Sequence, residues 1–104
     1  MDTVAELNAG MMVALFLDDY TLSTEAMKPS IAIITSIVSE REISIEYYKG
    51  GWTSIWKPWL IRGKPWADKI PTSAIVLYNF TLDNGKLTKP QRDAIKEAYT
   101  DRGK

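Results

Sequence analysis

Apolar and polar positions alternate most regularly over Ile43–Trp56, which reads ISIEYYKGGWTSIW. Ile43, Ile45 and Tyr47 share one face of an extended strand, and Ser44, Glu46 and Tyr48 share the other. This period of two, built from β-branched and aromatic side chains, marks a half-buried strand. Gly50-Gly51 offers the positive φ that a tight reversal needs. Trp52, Ser54 and Trp56 then fall on one face of a returning strand, with Thr53 and Ile55 on the other. Cross-strand aromatic pairs add roughly 0.2–1 kcal/mol each. The pattern predicts a hairpin at the centre of a small, strongly bent β-barrel.

The flanking patterns supply the remaining elements. Thr3-Val4-Ala5-Glu6 has capping-box spacing, and Asn8-Ala9-Gly10 ends the short turn it starts. Met11–Leu17 is continuously apolar and of strand length. Asp18–Lys28 is polar and reads as a loop. Ser30–Val38 is dense in isoleucine and valine, which are stiff at χ1 and favour strands. Both its faces are apolar, as in a central strand that bends to serve two sheets; the rival reading is a helix with Ile31, Ile34 and Val38 inward. Ser39–Glu42 is a charged turn. Lys57-Pro58-Trp59-Leu60 and Lys64-Pro65-Trp66-Ala67 repeat a string at a spacing of seven residues. Their prolines bar a central ladder and predict a strand end, a loop and an edge piece. Ala74–Leu82 is a further strand, closed by the turn signal Asp83-Asn84-Gly85. Thr88-Lys89-Pro90-Gln91 opens a helix over 89–101, with Gln91, Ala94, Ile95, Ala98 and Tyr99 as its inward stripe and Gly103 as its stop.

At 104 residues the chain has room for one domain and one modest core. The expected layout is a barrel over 7–82 and a terminal helix over 88–102. Cysteine and histidine are both absent, which removes disulfides, thiolate zinc sites and the commonest general base. Net charge is zero but uneven. Residues 1–46 carry eight acids and two bases, and residues 47–104 carry eleven bases and five acids, so the halves stand at −6 and +6. The asymmetry points to a polar partner, or to two halves that face and neutralise each other. Met11–Leu17 is too short to cross a membrane, and acidic Asp2 and Glu6 precede it where a secretory leader is basic.

The order of elements carries a resemblance. A glycine precedes the first strand, Gly10-Met11-Met12-Val13-Ala14-Leu15-Phe16, and an acidic loop follows, Asp18-Asp19-Tyr20. A β-branched strand, a tight turn and Ile43-Ser44-Ile45-Glu46-Tyr47-Tyr48-Lys49-Gly50 come next. Over residues 7–60 this resembles the Tudor and chromo-barrel group of SH3-like domains. The chain departs from them in having Thr21-Leu22-Ser23 near the usual Trp-Tyr pair, and in its Lys-Pro-Trp segment and terminal helix. The resemblance implies a mainly β fold, an SH3-like barrel of about five strands capped by the helix. It also implies a non-enzymatic reader of methylated lysine or arginine peptides, such as histone tails, in an intracellular and nuclear setting. Such a reader needs an open box of aromatic faces around the methylated cation. By position the cage would be Phe16, Tyr20, Tyr48 and Trp52, with Asp18, Asp19 or Glu46 at the rim. Tyr48 maps onto the family's cage tyrosine. The bland alternative makes Phe16 and Trp52 core residues.

Two other readings come from the residues themselves. Trp56, Trp59 and Trp66 are interleaved with Lys57, Arg62, Lys64 and Lys69, and the helix adds Lys89, Arg92 and Lys96. Stacking faces beside phosphate-neutralising charges are what single-strand DNA or RNA binders use, and SH3-like barrels also occur as DNA-binding ends of integrase-type proteins. The alternative for these residues is a core or clamp with a solvated charged face. A third reading is a protein-interaction module anchored on Pro58, Trp59, Pro65 and Trp66. Catalysis is not expected: no Ser-His or Cys-His arrangement or phosphate-cradling glycine loop is present. Asp18-Asp19 alone is too few ligands for a metal, and no cofactor is implied.

Overall fold

The computed structural model describes residues 7–17 and 28–102. It is mostly β, with antiparallel sheets and one C-terminal helix. The strands are β1 (Met12–Leu15), β2 (Ser30–Ser39), β3 (Glu42–Lys49), β4 (Lys57–Pro58), β5 (Leu60–Ile61), β6 (Lys64–Pro65), β7 (Ala67–Pro71) and β8 (Ile75–Phe80), and α1 spans Lys89–Arg102. The main sheet has the order β4-β3-β2-β1-β8, and β7 also pairs with β3. Thr3–Glu6, the loop carrying Asp18, Asp19 and Tyr20, and Gly103 lie outside the described residues. Among the described residues, no helix is long and apolar enough to cross a membrane.

The isoleucine-rich segment is extended, and its partners show how sharply the sheet turns. At one end of β2, Ser39 faces Glu42, which faces Pro71 on β7. At the other end, Ser30 faces Leu15, which faces Ile75 on β8. A straight ten-residue β2 would hold those ends roughly 30 Å apart. Yet Pro71 and Ile75 are joined only by the 3-10 turn Thr72–Ala74, a link that reaches at most about 15 Å. The sheet therefore folds over, helped by register shifts in β2 between Ile34 and Ser36 and between Ile37 and Ser39. The 3-10 turn is fastened at both corners. Thr72 N–H donates to the Arg41 carbonyl at 2.9 Å, and Phe16 N–H donates to the Ala74 carbonyl at 2.8 Å. No ladder among the described residues joins β4 or β7 to β8, so the barrel expected from the sequence is an open, folded sheet.

Two apolar clusters result. Val13, Leu15, Ala32, Ile34, Ile43, Ile45, Tyr47, Ile70 and Ile75 fill the inside of the fold. Ala14, Ile31, Trp56, Leu87, Ile95 and Tyr99 form a second cluster on the opposite face, where α1 packs. This is why both faces of β2 read as apolar.

Helix α1 starts as its sequence requires. Gln91 N–H donates to Thr88 Oγ1 at 3.3 Å, and Thr88 N–H donates to Gln91 Oε1 at 2.9 Å, a complete capping box. Ile95 and Tyr99 are buried as expected, whereas Ala94 is exposed. Thr88→Ala should lower stability by about 1 kcal/mol, measured as a fall in the urea midpoint at constant m-value; an unchanged midpoint would show that packing alone holds the helix start.

The central hairpin differs from expectation. The tight reversal is the β2–β3 turn at Glu40-Arg41, and the chain does not return as a strand at Trp52. Trp52–Ser54 is a bend, and pairing resumes only at β4, with Lys49 opposite Lys57 and Tyr48 opposite Pro58. Neither Gly50 nor Gly51 has positive φ. Gly50 is needed for space instead: a Cβ there would lie 2.5 Å from the Trp56 ring. The last strand is also shorter than Ala74–Leu82, because Ala74 belongs to the 3-10 turn.

A candidate binding cleft

Strands β4 and β7 form one edge beside β3, interrupted by the hairpin Leu60–Pro65. Arg62 and Gly63, with φ of 53° and 79°, form its two-residue turn. The Lys-Pro-Trp repeat frames this insertion. Trp59 N–H donates to the Tyr47 carbonyl at 2.9 Å, Tyr47 N–H donates to the Trp66 carbonyl at 3.0 Å, and Trp66 N–H donates to the Trp59 carbonyl at 2.9 Å. Both tryptophans thus meet at one residue of β3. Their rings follow: Trp59 and Trp66 lie edge to face at 5.0 Å, and Trp66 lies 4.5 Å from Tyr47. The Tyr47 hydroxyl donates to Asp68 Oδ2 at 3.1 Å, which fixes that ring.

Beside this cluster opens a cleft of about 410 Å³, within the usual range for ligand sites. Tyr47, Tyr48, Trp56, Trp59 and Trp66 supply its aromatic walls, with Gly50 beneath Trp56. Leu17, just after β1, and Lys28–Ser30, at the start of β2, complete it. Among the described residues, its charged lining is Lys28 and Lys49, without a carboxylate. Lys49 Nζ sits 5.5 Å from the Trp59 ring centroid, a cation–π contact. Lys49 also faces Lys57 directly across the ladder, an arrangement of like charges that costs stability. None of Lys28, Lys49 and Lys57 has an ion-pair partner among the described residues. Trp56 is 5% exposed, and its Nε1 is buried without an acceptor among the described residues. An unmet buried donor costs about 1–3 kcal/mol and calls for an explanation.

The aromatic residues proposed from the sequence as a cage are distributed differently. Tyr48 lines the cleft. Phe16 and Trp52 instead flank Tyr99 of α1, at 5.3 Å and 6.4 Å, so the helix fills the space between them. Lys96 Nζ lies 5.0 Å from the Trp52 ring. Glu46 is half-buried on β3, opposite Ala67, and Tyr20, Asp18 and Asp19 are outside the described residues. The second set is brought together better. Trp56, Trp59 and Trp66 share the cleft, with Lys57 on the adjoining strand. Lys64 and Arg62 are exposed on the inserted hairpin, and Lys69 is exposed on β7. Lys89, Arg92 and Lys96 stand on α1, away from the cleft lining.

Sequence reasoning passed over Lys28 and Lys49 as site residues, and placed Tyr47 only on a buried face. The alternation that puts Tyr47 and Lys49 on one side of β3 was the available signal. Among the described residues, no three carboxylates gather as a metal site would need. No family model, curated protein or solved structure matches the chain.

Proposed function

We propose that the chain is a non-enzymatic binding module of SH3-like architecture whose aromatic cleft takes single-stranded nucleic acid. The architecture is supported by the strand order and by the 3-10 turn that links the two edges of one folded sheet. The ligand is supported chiefly by one observation: the tryptophans of the Lys-Pro-Trp repeat converge with Trp56 on a cleft whose charged lining, among the described residues, is wholly cationic. Flat apolar walls suit stacked bases, and unpaired ammonium groups suit phosphates. An anionic strand would also relieve the repulsion between Lys49 and Lys57.

The test is a titration of tryptophan fluorescence with an oligothymidylate of roughly 10 nucleotides at several salt concentrations. If Lys28, Lys49 and Lys57 each neutralise a phosphate, the log–log salt slope should be about −2. Lys49→Gln should then reduce the slope by about 0.7. Trp66→Ala removes a stacking face that is 39% exposed and should weaken binding by about 1–3 kcal/mol.

One observation favours the methyl-lysine reading as a second choice. The Trp59 ring already holds an ammonium group, that of Lys49, so the wall accepts a cation. Saturable binding of a trimethyl-lysine peptide with little salt dependence, together with no response to the oligonucleotide, would reverse the ranking.

A further inference from the structure

We infer that the bound strand does not end in the cleft but runs out along one face of the Leu60–Pro65 hairpin, where Ile61 and Lys64 add a further step to the site. The inference rests on the nucleic-acid reading and extends its binding surface.

The register of the hairpin decides which residues share a face. Leu60 pairs with Pro65, and Ile61 pairs with Lys64. The next pair inward in the same register is Trp59 and Trp66, joined by the bond from Trp66 N–H to the Trp59 carbonyl. Side chains alternate along a strand, and directly opposed residues lie on the same face. Ile61 and Lys64 are therefore on the face that carries Trp59 and Trp66, and Leu60 and Pro65 are on the reverse. Trp59 and Trp66 are walls of the cleft, so this surface continues outward from them without changing sides. At about 3.3 Å per residue, the second pair stands about 7 Å beyond the first.

The continuation has the chemistry of the cleft. Ile61 is an exposed apolar side chain on which a base can lie, and it is paired with an exposed ammonium group, that of Lys64. Arg62 stands at the outer end, in the turn. Neither Arg62 nor Lys64 has an ion-pair partner among the described residues. Apolar surface beside unpaired cations thus recurs one step further along, which suits a polyanion longer than the cleft. A membrane fits less well. Arg62 lies beyond Leu60 and Ile61, so a hairpin entering acyl chains would have to bury a guanidinium first.

The experiment titrates the intact chain, by tryptophan fluorescence, with oligothymidylates of about 4 and about 10 nucleotides. Two variants change the proposed face, Ile61→Ser and Lys64→Gln. Two matched controls change the reverse. Leu60→Ser alters the neighbouring residue, which is 55% exposed against 48% for Ile61. Lys69→Gln removes the same charge from β7, where Lys69 alternates with Asp68, the partner of the Tyr47 hydroxyl. All four side chains are exposed, so each variant should fold. Ile61→Ser and Lys64→Gln should weaken the longer oligonucleotide several-fold and leave the shorter one unchanged. Lys64 should add about 0.7 to the salt slope contributed by Lys28, Lys49 and Lys57, and only for the longer strand. The controls should match the unmutated chain at both lengths. If the unmutated chain binds and all four variants match it, the hairpin takes no part, and the cleft reading stands without it. Equal losses in the controls, or equal losses at both lengths, would likewise overturn the inference. So would penetration of phosphatidylserine vesicles that Leu60→Ser and Ile61→Ser impair alike, since that reassigns the hairpin to a lipid surface. If neither oligonucleotide binds the unmutated chain, the proposed function falls and this inference falls with it.

Discussion

Replacing Tyr99 with alanine should lower stability by about 3–5 kcal/mol, the usual cost of deleting a large buried aromatic side chain. Tyr99 is 3% exposed. Its ring stands between Phe16 and Trp52 and holds α1 to the outer face of the sheet. Its hydroxyl also closes the ladder end between β1 and β2, donating to the Leu15 carbonyl and accepting from Ser30 N–H at 3.1 Å. The two contributions can be separated. Tyr99→Phe keeps the ring but removes both hydrogen bonds of the hydroxyl, for about 1–3 kcal/mol. A domain of this size has about 5–15 kcal/mol in total, so the alanine variant should be marginal or unfolded at room temperature. Chemical denaturation of both variants checks this. A loss below about 1 kcal/mol for the alanine change would mean that α1 contributes little to holding the sheet.

The second large effect is expected at Gly50. Gly50→Ala puts a methyl group 2.5 Å from the Trp56 ring, and overpacking of this kind typically costs about 1–3 kcal/mol. The upper end applies, because the ring is nearly fully buried and its backbone is tied to Gly85. Both residues also line the cleft, so oligonucleotide binding should weaken together with stability. Gly51→Ala is the internal control. The nearest atom to its Cβ is Ser54 Oγ, at 3.1 Å, on an exposed side chain that accepts a hydrogen bond from Gly51 N–H at 2.7 Å and can exchange it for water. Equal losses at the two positions, read by thermal unfolding, would show that backbone freedom matters here and that the approach to Trp56 does not.

That contrast also shows where the sequence was readable. The β-branched run Ser30–Val38 and the capping box at Thr88 were legible because each depends on local chemistry alone. Stiff side chains favour extension, and a threonine followed by a glutamine satisfies the first helical N–H groups. Gly50-Gly51 was misread because a glycine pair has two physical uses, positive φ and close approach, and the sequence does not distinguish them. The insertion Leu60–Pro65 was hidden because its turn puts an arginine at positive φ, where glycine or asparagine is the usual signal. The cleft itself depends on long-range register: Trp59 and Trp66 both reach Tyr47 only because six residues loop out between them. The cage reading set Phe16 and Trp52 at an open rim, whereas both half-buried rings pack against Tyr99 of the helix stripe.

The looped-out hairpin has a consequence beyond the cleft. Exposed sheet borders tend to recruit strands from neighbouring molecules and so seed aggregates. Here the border is broken after two residues by a projecting finger, carries Pro58 and Pro65, which cannot donate, and is studded with Lys57, Lys64 and Lys69. A rim built this way is a poor template for another copy of the chain, and it keeps a sheet rich in isoleucine from growing sideways.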